Sequence, residues 1–185
     1  MNVVLGISGA SGSIYAQRLL KYLCESPQVS QVSVVMSRNA GEIARQEVGG
    51  IEVGGKATLY SDSDFTAPFA SGSSRCDSMV VCPCSMGTLG RIAGGISDTL
   101  LLRAADVMLK ERRRIVLVVR ETPYSLIHIR NMETVTLAGG IVCPATPSFY
   151  SAPDSVSEVV DTVVFRVLDL LGVENGGKRW GSSQP

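Results

Sequence analysis

The chain is poor in the residue types on which several common chemistries depend. One histidine, His128, serves all 185 residues, and Cys82-Pro-Cys84 is the only closely spaced pair among five cysteines. A zinc site needs four such ligands in fixed spacings, so no metal is expected. An odd cysteine count in a chain with its own core also argues against a disulfide framework, and the expected compartment is cytoplasmic. There is no G-x-S-x-G elbow, so a serine hydrolase lacks its main element. There is no G-x-x-x-x-G-K-[ST] loop either, so ATP hydrolysis has no support. The 17 basic and 17 acidic residues cancel, which gives no reason to expect nucleic acid or a membrane surface as partner. Arg112-Arg113-Arg114 is the only basic run and reads as a solvated helix end. No apolar run is long enough to span a bilayer, and the first strand begins too early for a signal peptide.

What is present is a core and many turns. Hydrophobic residues make up 45% of the chain, enough for one domain of ordinary size. Val3, Val4, Leu5 and Ile7 read as a buried strand, and Ser8-Gly9-Ala10-Ser11-Gly12 as a small-residue turn into a helix that starts near Ser13. Backbone N–H groups in such a turn close on an anionic oxygen at a helix N-terminus. The glycines at 6, 9 and 12 depart from the dinucleotide pattern G-x-G-x-x-G.

The same strand-to-helix alternation continues along the chain. Helix is expected to about Glu25, then strand over Val32–Met36 and helix over Asn39–Val48. Residues 49–77 read as one long connection. Strand follows at Met79–Cys82, then a polar turn and helix over Ser85–Gly94, and a helix capped by Asp98 running to Lys110. Ile115–Val119 is the next strand. Leu126–Ala138 reads as helix with His128 in its middle, Gly139-Gly140 as its stop, Ile141–Cys143 as the fifth strand, and Ser155–Leu171 as an amphipathic helix. The expectation is a single-domain, three-layer α/β fold of Rossmann-like (flavodoxin-like) type, a parallel sheet with helices on both faces. The domain covers residues 1–173, with 174–185 as a tail.

Ligands in such sheets bind beyond the carboxyl ends of the strands. Gly9–Ser11, Ser37, Ser85–Thr88, Arg120-Glu121 and Phe149-Tyr150 fall at five of those ends. The serines and Thr88 are either helix caps or hydroxyl donors to a ligand. Arg103 and Lys110 stand seven apart, two turns along one helix face. They and Arg166 are either surface ion pairs or anion ligands, whereas Arg120 directly follows an unbroken apolar strand. Glu47 and Glu121 are the candidate acid–base groups, and Glu121, beside Arg120, is equally placed to be its ion-pair partner.

Seven segments together resemble the UbiX-like flavin prenyltransferases: GISGASG at 6–12, ASGS at 70–73, CPCSMGTL at 82–89, RAADVMLKERR at 103–113, RETP at 120–123, IHIRNM at 127–132 and P-x-x-P-x-FY at 144–150. The resemblance runs from Val3 to about Trp180. It implies metal-independent transfer of a dimethylallyl group from dimethylallyl phosphate to N5 and C6 of reduced FMN, giving prenylated FMN for a separate UbiD-like decarboxylase. By matching position, Gly9, Ala10, Ser11, Ser37, Ser85, Met86, Gly87, Thr88 and Arg120 would hold FMN. Phe65, Ser71, Arg103, Lys110, Tyr150, Arg166 and Trp180 would hold the prenyl donor, and Ser11, Glu47, Lys110 and Glu121 would be catalytic. Cations on the leaving phosphate and aromatic faces toward an allyl cation suit that chemistry. Family members are homo-oligomers, typically dodecamers, with sites between subunits.

Two positions depart from the family. Phe65 stands where some members have tryptophan, and Ser151-Ala152 follows Phe149-Tyr150 where many have histidine. The donor, monophosphate or diphosphate, is left open. One rival, a flavin-dependent cysteine decarboxylase, would want a histidine in the first half of the chain. Another, a flavin-carrying subunit of a decarboxylase without catalysis of its own, would tolerate loss of Glu47, Lys110 and Glu121, all of which are present.

Overall fold

The computed structural model describes residues 1–179 and residue 181. Among them six strands form one parallel sheet: β1 (Asn2–Ile7), β2 (Gln31–Met36), β3 (Ala57–Tyr60), β4 (Ser78–Cys84), β5 (Arg114–Val119) and β6 (Ile141–Val142). Their spatial order is β3-β2-β1-β4-β5-β6. The chain therefore builds outward in one direction from β1, then crosses back to start the other half at β4. The helices between the strands are α1 (Ser13–Glu25), α2 (Ala40–Val48), α3 (Met86–Ala93), α4 (Leu100–Lys110), α5 (Leu126–Leu137) and α6 (Val156–Leu171).

Side chains alternate across each strand, so one apolar run feeds two cores. Val3, Leu5, Ile7, Val32, Val34, Val80, Cys82, Val116 and Val118 pack on the side of α1 and α6. Val4, Val35, Met79, Val81, Cys84, Ile115, Leu117 and Val119 pack on the side of α3 and α4. All seven residues of β4 are buried, as expected for a strand covered on both faces. This is the expected three-layer α/β fold.

Several local expectations change. The connection over 49–77 contains β3, which adds a sixth strand at the sheet edge by pairing Val32–Val35 with Ala57–Tyr60. Thr58 and Leu59 are exposed there, so this short strand carries no buried apolar run to reveal it. Thr99, not Asp98, caps α4: its hydroxyl accepts from the Leu102 N–H, while Asp98 pairs with Arg91. His128 lies in the first turn of α5 rather than mid-helix. It closes a capping box in which the Ser125 N–H donates to His128 Nδ1 and the His128 N–H donates to Ser125 Oγ, both at 3.2 Å.

One polar network crosses the α1/α6 interface. The Arg18 guanidinium grips the Asp161 carboxylate through Nε and Nη2, and the Tyr22 hydroxyl donates to Asp161 Oδ2 at 2.8 Å. Asp161 is only 7% exposed, so its charge depends on those donors. Asp161→Asn keeps the shape but removes the charge Arg18 faces. It should cost about 2 kcal/mol, seen in thermal unfolding as a Tm lower by about 4–8 °C.

Candidate active site

The sheet order reverses between β1 and β4, and a crevice opens at the carboxyl ends of two such strands because their connections leave in opposite directions. The two loops that flank it are Ser8–Gly12 after β1 and Ser85 after β4. One residue fastens them together. The buried Ser8 hydroxyl donates to the Pro83 carbonyl at 2.8 Å and accepts from the Ser85 N–H at 2.7 Å, while the Ser8 N–H also reaches the Pro83 carbonyl. Reading the sequence misses Ser8, because nothing in a glycine-rich turn distinguishes a buried staple from a solvent-facing serine.

Arg120 supplies a second tie. Its N–H donates to the Cys84 carbonyl, and its Nε reaches across β4 to the Ser11 carbonyl at 3.0 Å. Ser37 joins the same rim, its N–H donating to the Ile7 carbonyl. Ser85 caps α3, accepting from the Thr88 N–H and donating to the Thr88 hydroxyl. The structure thus brings together Gly9, Ala10, Ser11, Ser37, Ser85–Thr88 and Arg120, and it turns two helix N-termini toward one crevice. Gly12 is the N-cap of α1 at φ 115°, a conformation that favours glycine, and a Cβ there would stand 3.0 Å from the Tyr15 ring.

The anion at the start of α1 comes from the chain itself. Glu47, near the end of α2, accepts from the Gly12 N–H at 2.9 Å and the Ser13 N–H at 2.7 Å. Partial burial works against its ionisation, but hydrogen bonds from the Ser11 hydroxyl and those two N–H groups outweigh it and hold the carboxyl down at about 2. These two donors, expected to meet a ligand oxygen, are already engaged. Glu121 sits on the exposed rim and accepts from the Thr122 N–H at 3.0 Å.

Tyr150 and Arg166 lie in a neighbouring cleft of about 1270 Å³ between α6, the loop after β6 and the C-terminal segment. The Ala145 N–H donates to the Val119 carbonyl, so one lip of this cleft is fixed one residue from Arg120. Phe65 is half-exposed in the loop after β3. Trp180 lies outside the described residues, and with it the expectation that it closes the pocket.

The remaining predicted residues are elsewhere. Arg103 donates to the Ala70 carbonyl at 3.0 Å and pairs with Asp106, Lys110 pairs with Glu111, and Ser71 shares a hydrogen bond with Ser73. Lys110 ends a helix that returns to the amino end of β5, whose six residues and the step to Arg120 span roughly 20 Å. One copy of the chain does not bring Lys110 to Arg120. Among the described residues there is no group of three or more His, Cys, Asp or Glu arranged to hold a metal, and no helix long and apolar enough to cross a membrane.

The geometry agrees with what the chain is similar to. The family model described as Flavoprotein matches residues 1–168. Flavin prenyltransferase UbiX of Thermoplasma acidophilum is 48% identical over 97% of this chain and 100% of its own. The crystal structure of AnUbiX (PadA1) in complex with FMN and dimethylallyl pyrophosphate superposes with a TM-score of 0.92 at 40% identity, over 99% of this chain and 98% of that one. A dodecameric FMN-dependent UbiX-like decarboxylase from Escherichia coli O157:H7 gives the same TM-score at 39% identity, over 98% and 100% of the two chains. With a family model covering most of its length and near-full-length relatives above 30% identity, the chain belongs to the flavoprotein family and, within it, to the UbiX flavin prenyltransferases.

Proposed function

We propose that this chain transfers the dimethylallyl group of dimethylallyl phosphate to reduced FMN, with the flavin in the β1/β4 crevice and the prenyl phosphate toward the α6 cleft. The observation that carries this assignment is the joining of the two crevice loops by Ser8 and Arg120, which presents their small residues and the N-terminus of α3 to one ligand. Those residues fit a flavin: Gly9 lets the loop after β1 pack against α2, where a Cβ would stand 3.2 Å from Asn39 Cβ, and Ser85 to Thr88 begin a helix suited to phosphate or carbonyl oxygens. Reduced FMN, when bound, supplies the nucleophilic N5 and C6 positions. Gly9, Ala10, Ser11, Ser37, Ser85, Met86, Gly87, Thr88 and Arg120 bind and orient it.

As the allylic C–O bond breaks, negative charge grows on the departing phosphate. Arg103, Lys110 and Arg166, with the hydroxyls of Ser71 and Tyr150, stabilise that charge. Tyr150 and Phe65 turn aromatic faces to the allyl cation, and Trp180, outside the described residues, is assigned the same role. Glu47, ionised and hydrogen-bonded to Ser11, exchanges a proton through that hydroxyl, and Glu121 or the released phosphate accepts the proton lost at ring closure. Residues 1–173 form this catalytic domain and 174–185 the tail, of which Gly176, Gly177, Lys178 and Arg179 line the cleft.

Because Lys110, Arg103 and Ser71 are remote from Arg120 within one copy, a complete site takes them from a second copy. The exposed Leu126, Ile127, Ile129 and Leu137 of α5 suit such an assembly, with a dodecamer as the expected form. A UbiD-like decarboxylase receives the product. Five unpaired cysteines suit the reducing cytoplasm.

Anaerobic incubation with reduced FMN and dimethylallyl phosphate should yield a flavin heavier by one C5H8 unit in mass spectrometry. Unmodified FMN with both the phosphate and the diphosphate donor would sink this reading. Lys110→Ala and Arg120→Ala should each lose activity by about a hundredfold or more. Co-assembled in equal amounts they should recover roughly a quarter of it, since one site in four then draws both residues intact from different copies. Failure to recover would place each site within a single chain.

Glu47 also has a signature in stability. Its carboxyl titrates well below the usual value near 4.5, so its stabilisation is complete above that value and lost as pH falls through about 2. Glu47→Gln should lower Tm at pH 7 by about 2–4 °C, for roughly 1 kcal/mol at the helix start. That difference should shrink in acid, and a pH-independent difference would contradict the assignment.

A further inference from the structure

We infer that Asp169, on the last turn of α6, is a positioning residue that latches the C-terminal segment along the cleft holding Tyr150 and Arg166. The inference rests on the assignment of that cleft to the prenyl phosphate.

After α6 the chain reverses at Gly172, and Val173 is buried. From there the segment Glu174-Asn175-Gly176-Gly177-Lys178-Arg179 has no apolar side chain with which to anchor itself. Polar contacts take that place: the Glu174 N–H donates to Gln28 Oε1 at 2.7 Å, Asn175 Nδ2 reaches the Val173 carbonyl at 3.2 Å, and Asn175 and Arg179 both reach Asp169. One carboxylate oxygen accepts from Asn175 Nδ2 at 2.8 Å, and the other pairs with Arg179 Nη1 at 2.5 Å. Asn175 passes the constraint on, its Oδ1 accepting from the Gly177 N–H at 3.0 Å. At Gly177 the segment runs so close to α6 that a Cβ would stand 2.8 Å from Asn175 Oδ1 and 3.0 Å from Phe165 Cβ.

Beyond that point Lys178 Nζ donates to the Ser151 carbonyl at 3.1 Å. Ser151 is the residue after Tyr150, so the latched segment holds the loop that carries this tyrosine. The chain of contacts runs Asp169, Asn175 and Arg179, Lys178, Ser151, Tyr150, and Gly176, Gly177, Lys178 and Arg179 all line the cleft. Partial burial of Asp169 opposes its charge, but Arg179 and Asn175 prevail and hold its carboxyl below the usual range. The group is therefore charged throughout the neutral range. Asp169 lines the cleft as well, and the asparagine and the arginine both converge on its carboxylate.

Asp169→Asn keeps an acceptor for Asn175 and removes the negative charge that faces Arg179. In the full-length protein it should raise KM for dimethylallyl phosphate by roughly tenfold, the scale of one charge-assisted contact. Within about twofold it should leave kcat and the Kd for FMN unchanged, the crevice loops being held by Ser8 and Arg120 instead. Trypsin should cut after Lys178 and Arg179 several-fold faster than in the wild type, and Asp169→Glu should restore both measures. An unchanged KM, with or without faster cleavage, overturns the positioning role, as does an equal loss of FMN affinity. If the wild-type chain transfers no prenyl group from either donor, the functional reading falls by itself. The trypsin comparison then decides the latch: faster cleavage in Asp169→Asn supports it and equal cleavage overturns it.

Discussion

The carboxyl edge of this sheet depends on one hydroxyl. Ser8, at the end of β1, is buried at the junction where the strand order reverses, donating to the Pro83 carbonyl of β4 and accepting from the Ser85 N–H just beyond it. Each bond contributes only about 1 kcal/mol net, but the hydroxyl is enclosed, and removing it takes away the acceptor of the Ser85 N–H and leaves the Pro83 carbonyl only the Ser8 N–H. The cost of that loss makes the spacing of the two loops rigid. Arg120 adds a longer-range version of the same constraint, joining the end of β5 to the loop after β1 across the strand between them. Groups separated by more than a hundred residues in sequence thus become one rim.

Electrostatics at the rim follow from what is already neutralised. Asp161 has Arg18 and Tyr22, Asp98 has Arg91, Asp106 has Arg103, and Glu47 has two backbone N–H groups. A chain of zero net charge has assigned most of its carboxylates to local partners. The selectivity of such a site comes from the placement of individual donors, with no large field acting at a distance.

Much of this architecture was legible in the amino-acid sequence, for a physical reason. Parallel strands buried on both faces, such as Val3–Ile7 and Ile115–Val119, must be continuous apolar runs, and a strand's end is where small polar residues begin. Edge strand β3 escaped because half its side chains face water and leave no such run. Thr99 and Asp98 are both competent caps, and only the path of the chain decides between them. His128 and Ser125 satisfied each other at a helix start that apolar spacing had blurred. In the site, Gly9–Ser11, Ser85–Thr88 and Arg120 were readable as strand-end residues. Ser8 was not, because its burial is a tertiary fact. Helical spacing did place Arg103 and Lys110 on one face of α4, but spacing says nothing about where along the sheet that face lies.

The Glu47 carboxylate at the start of α1 has a consequence for competition. An open helix N-terminus in a phosphate-rich solution attracts whatever small anion is most abundant. Here two of its donors, the Gly12 and Ser13 N–H groups, are occupied by a tethered group that a dissolved ion must displace. Inorganic phosphate therefore gains little by approaching this loop. A ligand settles in the crevice only by making contacts along its whole length, so the free protein is screened against the commonest impostor of its own substrates.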